Sequence, residues 1–480
     1  MNFKTISKTI GITLCLEGAF MLPCLVLALF DGDAPEVRGF LIAIAAVLIC
    51  GLPFVAQRQS ARSLGVRDGL VTAALAWLTI SVFGAIPFFA SGVIPEISDA
   101  VFETISGFST TGTTVIADVE AVSRSILLWR SITHWIGGMG VLIFLMAVAP
   151  VARESGSMHL LRAEFPGPMA GKLVPRMQRS AVLLYEMYIV LTVIQTVLLC
   201  IGKVPLFDSV NISMSTVSTG GFAVKNDSLM SYSRYVQIVT MVFMFICSVS
   251  FKIFYCIFIG EFVRIRKNRE LLCYALVVAV ATVFIMLDSV RLFDSFGDNL
   301  HHSLYQVISL ISTTGHLTCN ESIWSPFVWS VLAVLMITGP MAGSTGGGMK
   351  LSRVMILFKS CYRSILRATT PGTVHLIHLD GEIVDEDTVS TVNSFVVMYF
   401  FAMIISSVLL SLNGLSLSDG LLIGISCLSN IGLGIDNNVL QMGNSFMAIL
   451  SKATLCFNMF LGRLEFFPLL VLFTPATWKK

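Results

Sequence analysis

Charged side chains are scarce in this sequence. Only 12% of its 480 residues are Asp, Glu, Lys or Arg, whereas 55% are hydrophobic. A soluble domain carries about 25% charged residues, so this composition excludes an ordinary water-soluble fold. Long apolar runs take the place of charge, and one membrane crossing needs about 20 such residues. The composition therefore predicts a multi-pass protein of the lipid bilayer.

An excess of one charge sign is also missing, and so is any cysteine motif. The net charge is +2, and Lys and Arg lie at the ends of apolar segments, so we expect no nucleic-acid partner. The 11 cysteines form no C-x-x-C pair, which argues against a zinc site or a disulfide framework. Because no Ser/His/Asp set or carboxylate pair converges, we expect no catalytic residue, no enzyme activity and no organic cofactor.

Ten apolar segments are long enough to span a membrane as helices. They cover residues 7–30, 39–56, 69–90, 124–149, 180–201, 235–262, 272–290, 326–358, 391–412 and 445–474. Segments of these lengths suit helices rather than barrel strands, because backbone in lipid must satisfy its own hydrogen bonds. The first segment superficially resembles a signal peptide, but no small-residue cleavage site precedes Asp31, so we expect a retained helix.

Lys and Arg are concentrated on alternate connections between these segments. The richer side, called the basic side below, carries Lys4, Lys8, Arg58, Arg62, Arg67, Arg153, Arg162, Lys172, Arg176, Arg179, Arg264, Arg266, Lys267, Arg269, Arg363, Arg367, Lys479 and Lys480. The opposite side carries mainly Arg38, Lys203, Lys225 and Arg291. By the positive-inside rule, we expect the basic side and both termini to face the cytoplasm.

Four shorter apolar stretches lie on the side opposite the basic side. They cover residues 99–109, 208–217, 300–312 and 418–428, and each leads into a small-residue turn whose glycine is Gly112, Gly220, Gly315 or Gly432. The order of long helix, short helix, turn and long helix thus occurs four times, and such a repeat should decide the fold.

The four turns are candidates for a cation filter. A ring of backbone carbonyls can replace the water shell of a monovalent cation, and glycine permits the strained backbone that aims carbonyls inward. The carboxyl end of each short helix adds partial negative charge. The alternative is four unremarkable turns. The candidate ion-binding residues are Thr110, Thr111, Gly112, Ser218, Thr219, Gly220, Thr313, Thr314, Gly315, Asn430, Ile431 and Gly432.

A glycine-rich segment interrupts the eighth span. Residues 339–350 hold five glycines and one proline, which should break a helix near mid-membrane. We interpret the segment as a loop that crosses the permeation path beneath the filter, with a packing kink as the alternative. Met349 separates Gly348 from Lys350, which argues against a Walker A loop, and a nucleophile elbow would need a sheet.

Several charged or ionisable residues stand out. Arg463 lies in the last span, where a charge is costly, and it would form a positive barrier if it faced the pore. The alternative is an arginine that snorkels to the cytoplasmic end or pairs with a loop carboxylate. Glu103 either braces the first turn or attracts cations. We expect His134 to anchor a helix end, and residues 380–387 to form a solvated acidic turn.

The sequence resembles the Trk/Ktr/HKT superfamily of cation transporters, and within it the TrkH-type subunit. The motifs that carry the resemblance are FETISGFSTTGTT (102–114), HWIGGMGVLIF (134–144), STVSTGGF (215–222), ISTTGH (311–316), GPMAGSTGGGMK (339–350), LSNIGLG (428–434) and MFLGRLEFFP (459–468). The resemblance covers nearly the whole chain, and the two helices before the first repeat match the TrkH type.

This resemblance implies an all-α integral membrane protein. Four membrane–pore–membrane repeats would surround one pseudo-fourfold axis, with two extra N-terminal transmembrane helices. We expect an N-terminal extension over residues 1–67, and the four repeats over 68–150, 151–270 with a cytoplasmic linker, 271–376 with the gating loop, and 377–480.

The resemblance also implies potassium uptake across the bacterial inner membrane, with the potassium ion held at the filter residues. It implies a homodimer and a cytosolic ring of TrkA-type nucleotide-binding regulatory subunits, which the acidic run at 380–387 could contact. It assigns gating to Gly343, Ser344, Thr345, Gly346, Gly347, Gly348, Lys350 and Arg463.

Selectivity and mechanism stay open at this point. Gly112 favours potassium, since a serine there accompanies sodium transport in plant relatives. The fourth turn departs from Thr-Thr-Gly, and His316 after the third glycine has no assigned role. A less selective sodium/potassium channel and a proton- or sodium-coupled symporter are both alternatives. An alternating-access carrier is disfavoured, because such proteins use inverted repeats and none is inverted here.

Overall fold

The computed structural model is a helical bundle that describes residues 1–57, 65–140, 177–370, 375–380, 382–433 and 446–478. Its first-half helices are α1 (Phe3–Asp31), α2 (Ala34–Val55), α3 (Val66–Phe83), α4 (Ile86–Ser91), α5 (Ile97–Phe108), α6 (Arg124–Met139), α7 (Met177–Ile201), α8 (Leu206–Val217), α9 (Arg234–Cys247), α10 (Phe251–Ile259) and α11 (Phe262–Lys267). The rest are α12 (Arg269–Asp288), α13 (Phe296–Ile311), α14 (Pro326–Thr338), α15 (Leu351–Thr369), α16 (Glu386–Ser411), α17 (Leu417–Leu428), α18 (Phe446–Leu464), α19 (Phe467–Phe473) and α20 (Pro475–Trp478). Within these described ranges the strands are β1 (His378–Leu379) and β2 (Glu382–Ile383).

The two N-terminal helices form a tight hairpin. A β-carbon at Gly11 would stand 2.7 Å from the carbonyl oxygen of Gly51, and one at Gly51 would stand 3.0 Å from that of Gly11. Only glycine allows two backbones to come this close. Helix α1 also contacts α3 and α6, and α2 contacts α4. The hairpin is therefore attached to the first repeat, as an extension should be.

The four repeats are confirmed in the order of the helices. Each has a long first helix (α3 with α4, α7, α12 or α16), a short helix and a second helix (α6, α9, α14 or α18). The short helices α5, α8, α13 and α17 are called the pore helices below. Their bounds agree with the predicted short stretches to within a few residues. At 12 to 16 residues, these helices are too short to cross a bilayer.

Not all ten predicted spans are continuous. Among the described residues, the candidate spans that are long enough are α1, α2, α3 with α4, α7, α12 and α16. These are the two helices of the N-terminal extension and the first helix of every repeat. The predicted span 235–262 is wrong as one helix, because α9 and α10 meet at 91°. The spans 326–358 and 445–474 are likewise broken, after Thr338 and after Leu464. Three of the predicted spans that hold second helices, those with α9, α14 and α18, are therefore interrupted.

Some predictions fall outside the described residues. These are the basic residues at 58, 62, 153, 162, 172, 176, 479 and 480, the end of the fourth span beyond 140, and the boundary between the first two repeats. The division into repeats by residue number stays a prediction.

A small hairpin closes the basic side of the third and fourth repeats. Strands β1 and β2 pair antiparallel, with His378 opposite Ile383. Its apolar residues pack with helices α15 and α16 in one cluster, formed by Ile356, Ile377, Leu379, Val384, Val389 and Val392. The hairpin includes the first residues of the acidic run at 380–387, which we expected to be a solvated turn.

Candidate ion filter and gate

Each turn begins where its pore helix ends. The backbone N–H of Thr111 donates to the carbonyl of Ser106 at 2.9 Å, five residues back, which turns the chain out of the helix. The equivalent bonds run from Gly220 to Ser215, Thr314 to Ser309 and Ile431 to Ser426, at 2.8 to 2.9 Å. The residue before each donor has a left-handed backbone, at Thr110, Thr219, Thr313 and Asn430. All four turns thus share one local geometry.

A second left-handed residue follows in every turn, and it corrects the predicted register of the second turn. These residues are Gly112, Gly221, Gly315 and Gly432, with φ between +77° and +84°. The second-turn equivalent of Gly112 is therefore Gly221 and not Gly220. Two adjacent glycines left the register ambiguous in the sequence. Because only glycine takes this conformation without strain, the backbone decides between them, and Ser218 aligns with Ser109.

The four turns interlock as a closed ring. A β-carbon at Gly112 would overlap the carbonyl oxygen of Gly220 in the second turn. The other three contacts of the same kind are Gly221 with Thr314, Gly315 with Ile431, and Gly432 with Thr111. Each contact joins a turn glycine to the carbonyl that precedes the next turn's glycine. The fourth turn closes back on the first, so one polypeptide forms a complete ring of backbone carbonyls.

The residue after each glycine extends the ring toward the previous repeat. The hydroxyl of Thr113 donates to the carbonyl of Gly432 at 3.4 Å. The ring of Phe222 stacks on His134 at 3.9 Å between centroids. The imidazole of His316 lies 3.3 Å from the hydroxyl of Thr216. His316, which had no assigned role, therefore connects the third turn to the second pore helix.

Glu103 braces the first turn from behind. One carboxylate oxygen accepts from the guanidinium of Arg130 at 2.7 Å and from the hydroxyl of Thr114 at 2.9 Å. The other oxygen accepts from the backbone N–H of Val115 at 2.9 Å. Both charged side chains are almost fully buried. A carboxylate bonded on this many sides is not free to attract ions, which favours the bracing role.

His134 lies behind the second turn rather than at a helix end. Helix α6 continues to Met139, and a β-carbon at Gly220 would overlap the imidazole of His134. Its Nδ1 stands 3.4 Å from the hydroxyl of Ser215. The expectation that this histidine anchors a helix end is therefore wrong, and Gly220 is required by close packing.

A serine recurs at the same position of every pore helix and supports the turn in the first and third repeats, which the sequence analysis missed. The hydroxyl of Ser106 donates to the carbonyl of Thr113 at 2.5 Å, and that of Ser309 donates to the carbonyl of His316 at 2.7 Å. Ser215 and Ser426 occupy the equivalent positions. The signal was present as Ser-x-x-Ser, followed by Thr or Asn, in all four repeats. Ser106 and Ser309 therefore fix the carbonyls beyond their turn glycines, whereas the hydroxyl of Ser215 lies against His134.

The glycine-rich loop lies against the basic-side face of the ring. Helix α14 ends at Thr338 and α15 begins at Leu351, as the glycine run predicted. The N–H of Gly347 donates to the hydroxyl of Thr313 in the third turn at 2.8 Å. A β-carbon at Gly347 would also stand 2.5 Å from the carbonyl oxygen of Ser429. The loop therefore contacts the third and fourth turns directly.

Thr345 ties the same loop to the second repeat. Its hydroxyl lies 3.2 Å from the carbonyl of Val217, the last residue of the second pore helix, and 3.3 Å from that of Cys247. The nitrogen of Lys350 folds back onto the carbonyl of Gly346 within the loop. The predicted gating residues are thus packed together beneath three of the four turns.

Arg463 contacts this loop from helix α18. Its guanidinium donates to the carbonyl of Thr345 at 2.8 Å, to that of Gly138 at 2.6 Å, and to that of Gly137. Arg463 and Lys350 line one cavity of about 40 Å³ beneath the loop. Glu465, two residues further on, pairs with Arg353 on helix α15. The arginine is thus held at the loop, not extended to the membrane surface.

Known proteins are similar to this chain in sequence and in architecture. The family model described as "TrkH: Cation transport protein" matches residues 36–480. The chain is 30% identical to the Trk system potassium uptake protein TrkH of Salmonella typhimurium, over the full length of both chains. It is 29% identical to TrkG of Escherichia coli, over 100% of this chain and 99% of that protein. The crystal structure of the potassium transporter TrkH from Vibrio parahaemolyticus superposes with a TM-score of 0.88, at 27% identity and full coverage of both chains.

Proposed function

The chain belongs to the TrkH family of cation transport proteins, and from that premise we propose that it takes up potassium ions through the carbonyl ring formed by its four turns. Relatives that match over their full length are named potassium uptake proteins. The family is one of transporters and not of enzymes. The observation that carries the proposal is the closed ring from the first turn through the fourth and back to the first.

Potassium would be held by peptide oxygens rather than by charged groups. A dehydrated ion on the ring axis would meet the carbonyls of Thr111, Gly220, Thr314 and Ile431, one from each repeat. The four pore helices end at the same ring, and their partial negative charge favours a cation there. The remaining turn residues, including Thr110, complete the filter by setting the backbone conformation.

The gate in this proposal is the glycine-rich loop together with Arg463. The loop contacts the filter on its basic-side face, so an ion leaving the ring in that direction meets it first. Arg463 and Lys350 place two positive charges beside this route, and like charges at close range raise the barrier for a cation. Movement of the loop away from the third turn would open the path.

The membrane setting follows from the helices and the relatives. The apolar first helices support a multi-pass protein of the bacterial inner membrane. We propose that the basic side faces the cytoplasm with both termini, and that the protein works as a homodimer with cytosolic TrkA-type nucleotide-binding subunits. The relatives' name, which places them in a Trk system, supports such an assembly.

Complementation tests the proposed function. The gene should restore growth at low potassium to a strain without potassium uptake, provided that the partner subunit is supplied. The Gly112→Ser variant is the control for filter-dependent transport and should lose much of the potassium preference. Failure of the parent chain to restore growth would refute the proposal.

Reversal potentials distinguish a channel from an ion-coupled symporter. Purified protein in a planar bilayer should give a reversal potential set by the potassium gradient alone if the ring conducts passively. A dependence on the proton or sodium gradient would instead establish coupling.

A further inference from the structure

Two carboxylates meet at the start of helix α12, where Glu270 binds the gating loop, residues 339–350, and Asp380 binds the end of the helix. On the basis of the gating role proposed above, we propose that Glu270 and Asp380 are positioning residues that keep this loop against the filter, and that displacement of the β1–β2 hairpin releases it. Neither residue touches the ion path. Both act through hydrogen bonds at one end of one helix.

Glu270 binds the loop itself. Its carboxylate accepts from the backbone N–H of Ala342 at 2.8 Å, and the residue is 6% exposed. One buried carboxylate thus fixes the first part of a segment that contains little regular structure of its own.

Asp380 binds the same helix end from the hairpin. One carboxylate oxygen accepts from the backbone N–H of Arg269 at 2.7 Å, and the other accepts from the side-chain amide of Asn268 at 3.1 Å. The backbone of Asp380 is left-handed, with φ +51°, at the hairpin tip. Such a carboxylate satisfies an otherwise orphaned helix N–H and complements the helix dipole. Glu270 is the next residue after Arg269.

The hairpin is in turn fixed to the far end of the loop. Leu379 and Val384 pack with Ile356 of helix α15, and the ammonium of Lys359 on that helix donates to the carbonyl of His378 at 2.6 Å. Helix α15 starts directly after the loop. The contacts therefore form a closed circuit from the loop through α15, the hairpin, Asp380 and α12, and back to the loop at Ala342.

Through these contacts, a movement of the hairpin on the basic side changes how the loop is held. Moving the hairpin withdraws Asp380 from the backbone N–H of Arg269 and from the amide of Asn268, so the N-cap Asn268 alone remains to cap the start of α12. The first turn of α12, which carries Glu270, is then free to shift, and the bond to Ala342 is lost. A cytoplasmic subunit that pulls on the hairpin would open the loop without reaching into the membrane.

Potassium flux from liposomes tests the circuit in the full-length chain without any partner. We expect Glu270→Ala and Asp380→Ala each to raise basal flux several-fold, and the double variant to exceed neither single variant by much, since both break one circuit. Glu270→Gln retains an acceptor for Ala342 and should rescue most of the closed behaviour. Glu386→Ala is the matched control, because this basic-side carboxylate binds Arg363 and touches neither the loop nor α12. Single variants with parental flux, or a double variant with multiplied effects, would overturn the proposal.

A reversible cross-link separates the proposal from misfolding. In the variant Asn268→Cys/Asp380→Cys, oxidation should join the hairpin to α12 and lower flux, and reductant should restore it to the level of Asp380→Ala. The parent and the two single variants control for the native cysteines. A cross-link that forms without changing flux would refute the circuit. A parent chain that carries no potassium would instead refute the proposed function.

Discussion

Arg463 is a charged residue of helix α18 that binds the gating loop directly. Its guanidinium bridges the carbonyl of Thr345 in the loop and those of Gly137 and Gly138 in the first repeat. Removing it would take a positive charge from beside the proposed ion path and would break the bond to the loop. We expect Arg463→Ala to raise potassium flux in liposomes by about tenfold, the ratio for ~1.4 kcal/mol of barrier. Unchanged flux would contradict the barrier role.

The two glycines of the second turn should differ in how they can be rescued. Alanine at Gly221 meets the backbone carbonyl of Thr314 and needs a left-handed conformation, which costs about 1–2 kcal/mol. The three atoms nearest to a β-carbon at Gly220 all belong to the side chain of His134. We expect both variants to lose low-potassium growth, and His134→Ala to restore some growth to Gly220→Ala alone. Rescue of Gly221→Ala by the same change would contradict the corrected register.

The sequence predicted the positions and contacts of these residues only in part. Small residues followed by glycine identified all four turns, because the strained geometry needs them. The adjacent glycines at 220 and 221 are chemically identical, and only the backbone angles separate them. Contacts such as Glu103 with Arg130, or His316 with Thr216, join distant segments and leave no local pattern.

Among the helices, the second helix of each repeat ends beside its pore helix. In α6, a β-carbon at Gly137 would overlap the carbonyl of Phe108, and in α18 one at Gly462 would overlap that of Leu428. These two glycines let the second helices approach the filter closely. The glycine run at 339–350 predicted the break after α14, whereas the apolar run through Ser248 gave no sign of the bend between α9 and α10.

Alanine at these two helix glycines should therefore destabilise the protein. We expect Gly137→Ala and Gly462→Ala each to cost about 1–3 kcal/mol, the usual cost of overpacking, and to lower the apparent Tm in detergent. Gly297→Ala is the control in the first turn of a pore helix, because its β-carbon would lie 3.5 Å or more from its neighbours. Equal Tm values for all three variants would show that the close approach is not required.

For the molecule as a whole, an ion bound at the proposed filter would contact all four repeats at once. An ion that binds only the folded ring stabilises the protein by about 2.7 kcal/mol at 100 times its Kd. We expect a higher apparent Tm in potassium chloride than in choline chloride at equal ionic strength. The Gly221→Ala variant should lose this difference, and its persistence there would place the stabilising ion elsewhere.

The overall architecture was the most predictable level. Segment lengths and glycine turns follow from what a bilayer allows a backbone to do. The alternation of basic loops follows from the positive-inside rule. The closed ring of contacts from turn to turn could not be predicted from the sequence, since each contact joins positions in different repeats.

The most direct measurement is the anomalous scattering of rubidium, a potassium substitute, in crystals of the full-length protein. The carbonyl ring predicts a peak on the axis between the oxygens of Thr111, Gly220, Thr314 and Ile431, and no such peak in the Gly221→Ala variant. Crystals of the parent protein soaked in rubidium that show no ion at the centre of the four turns would contradict a filter built from these carbonyls.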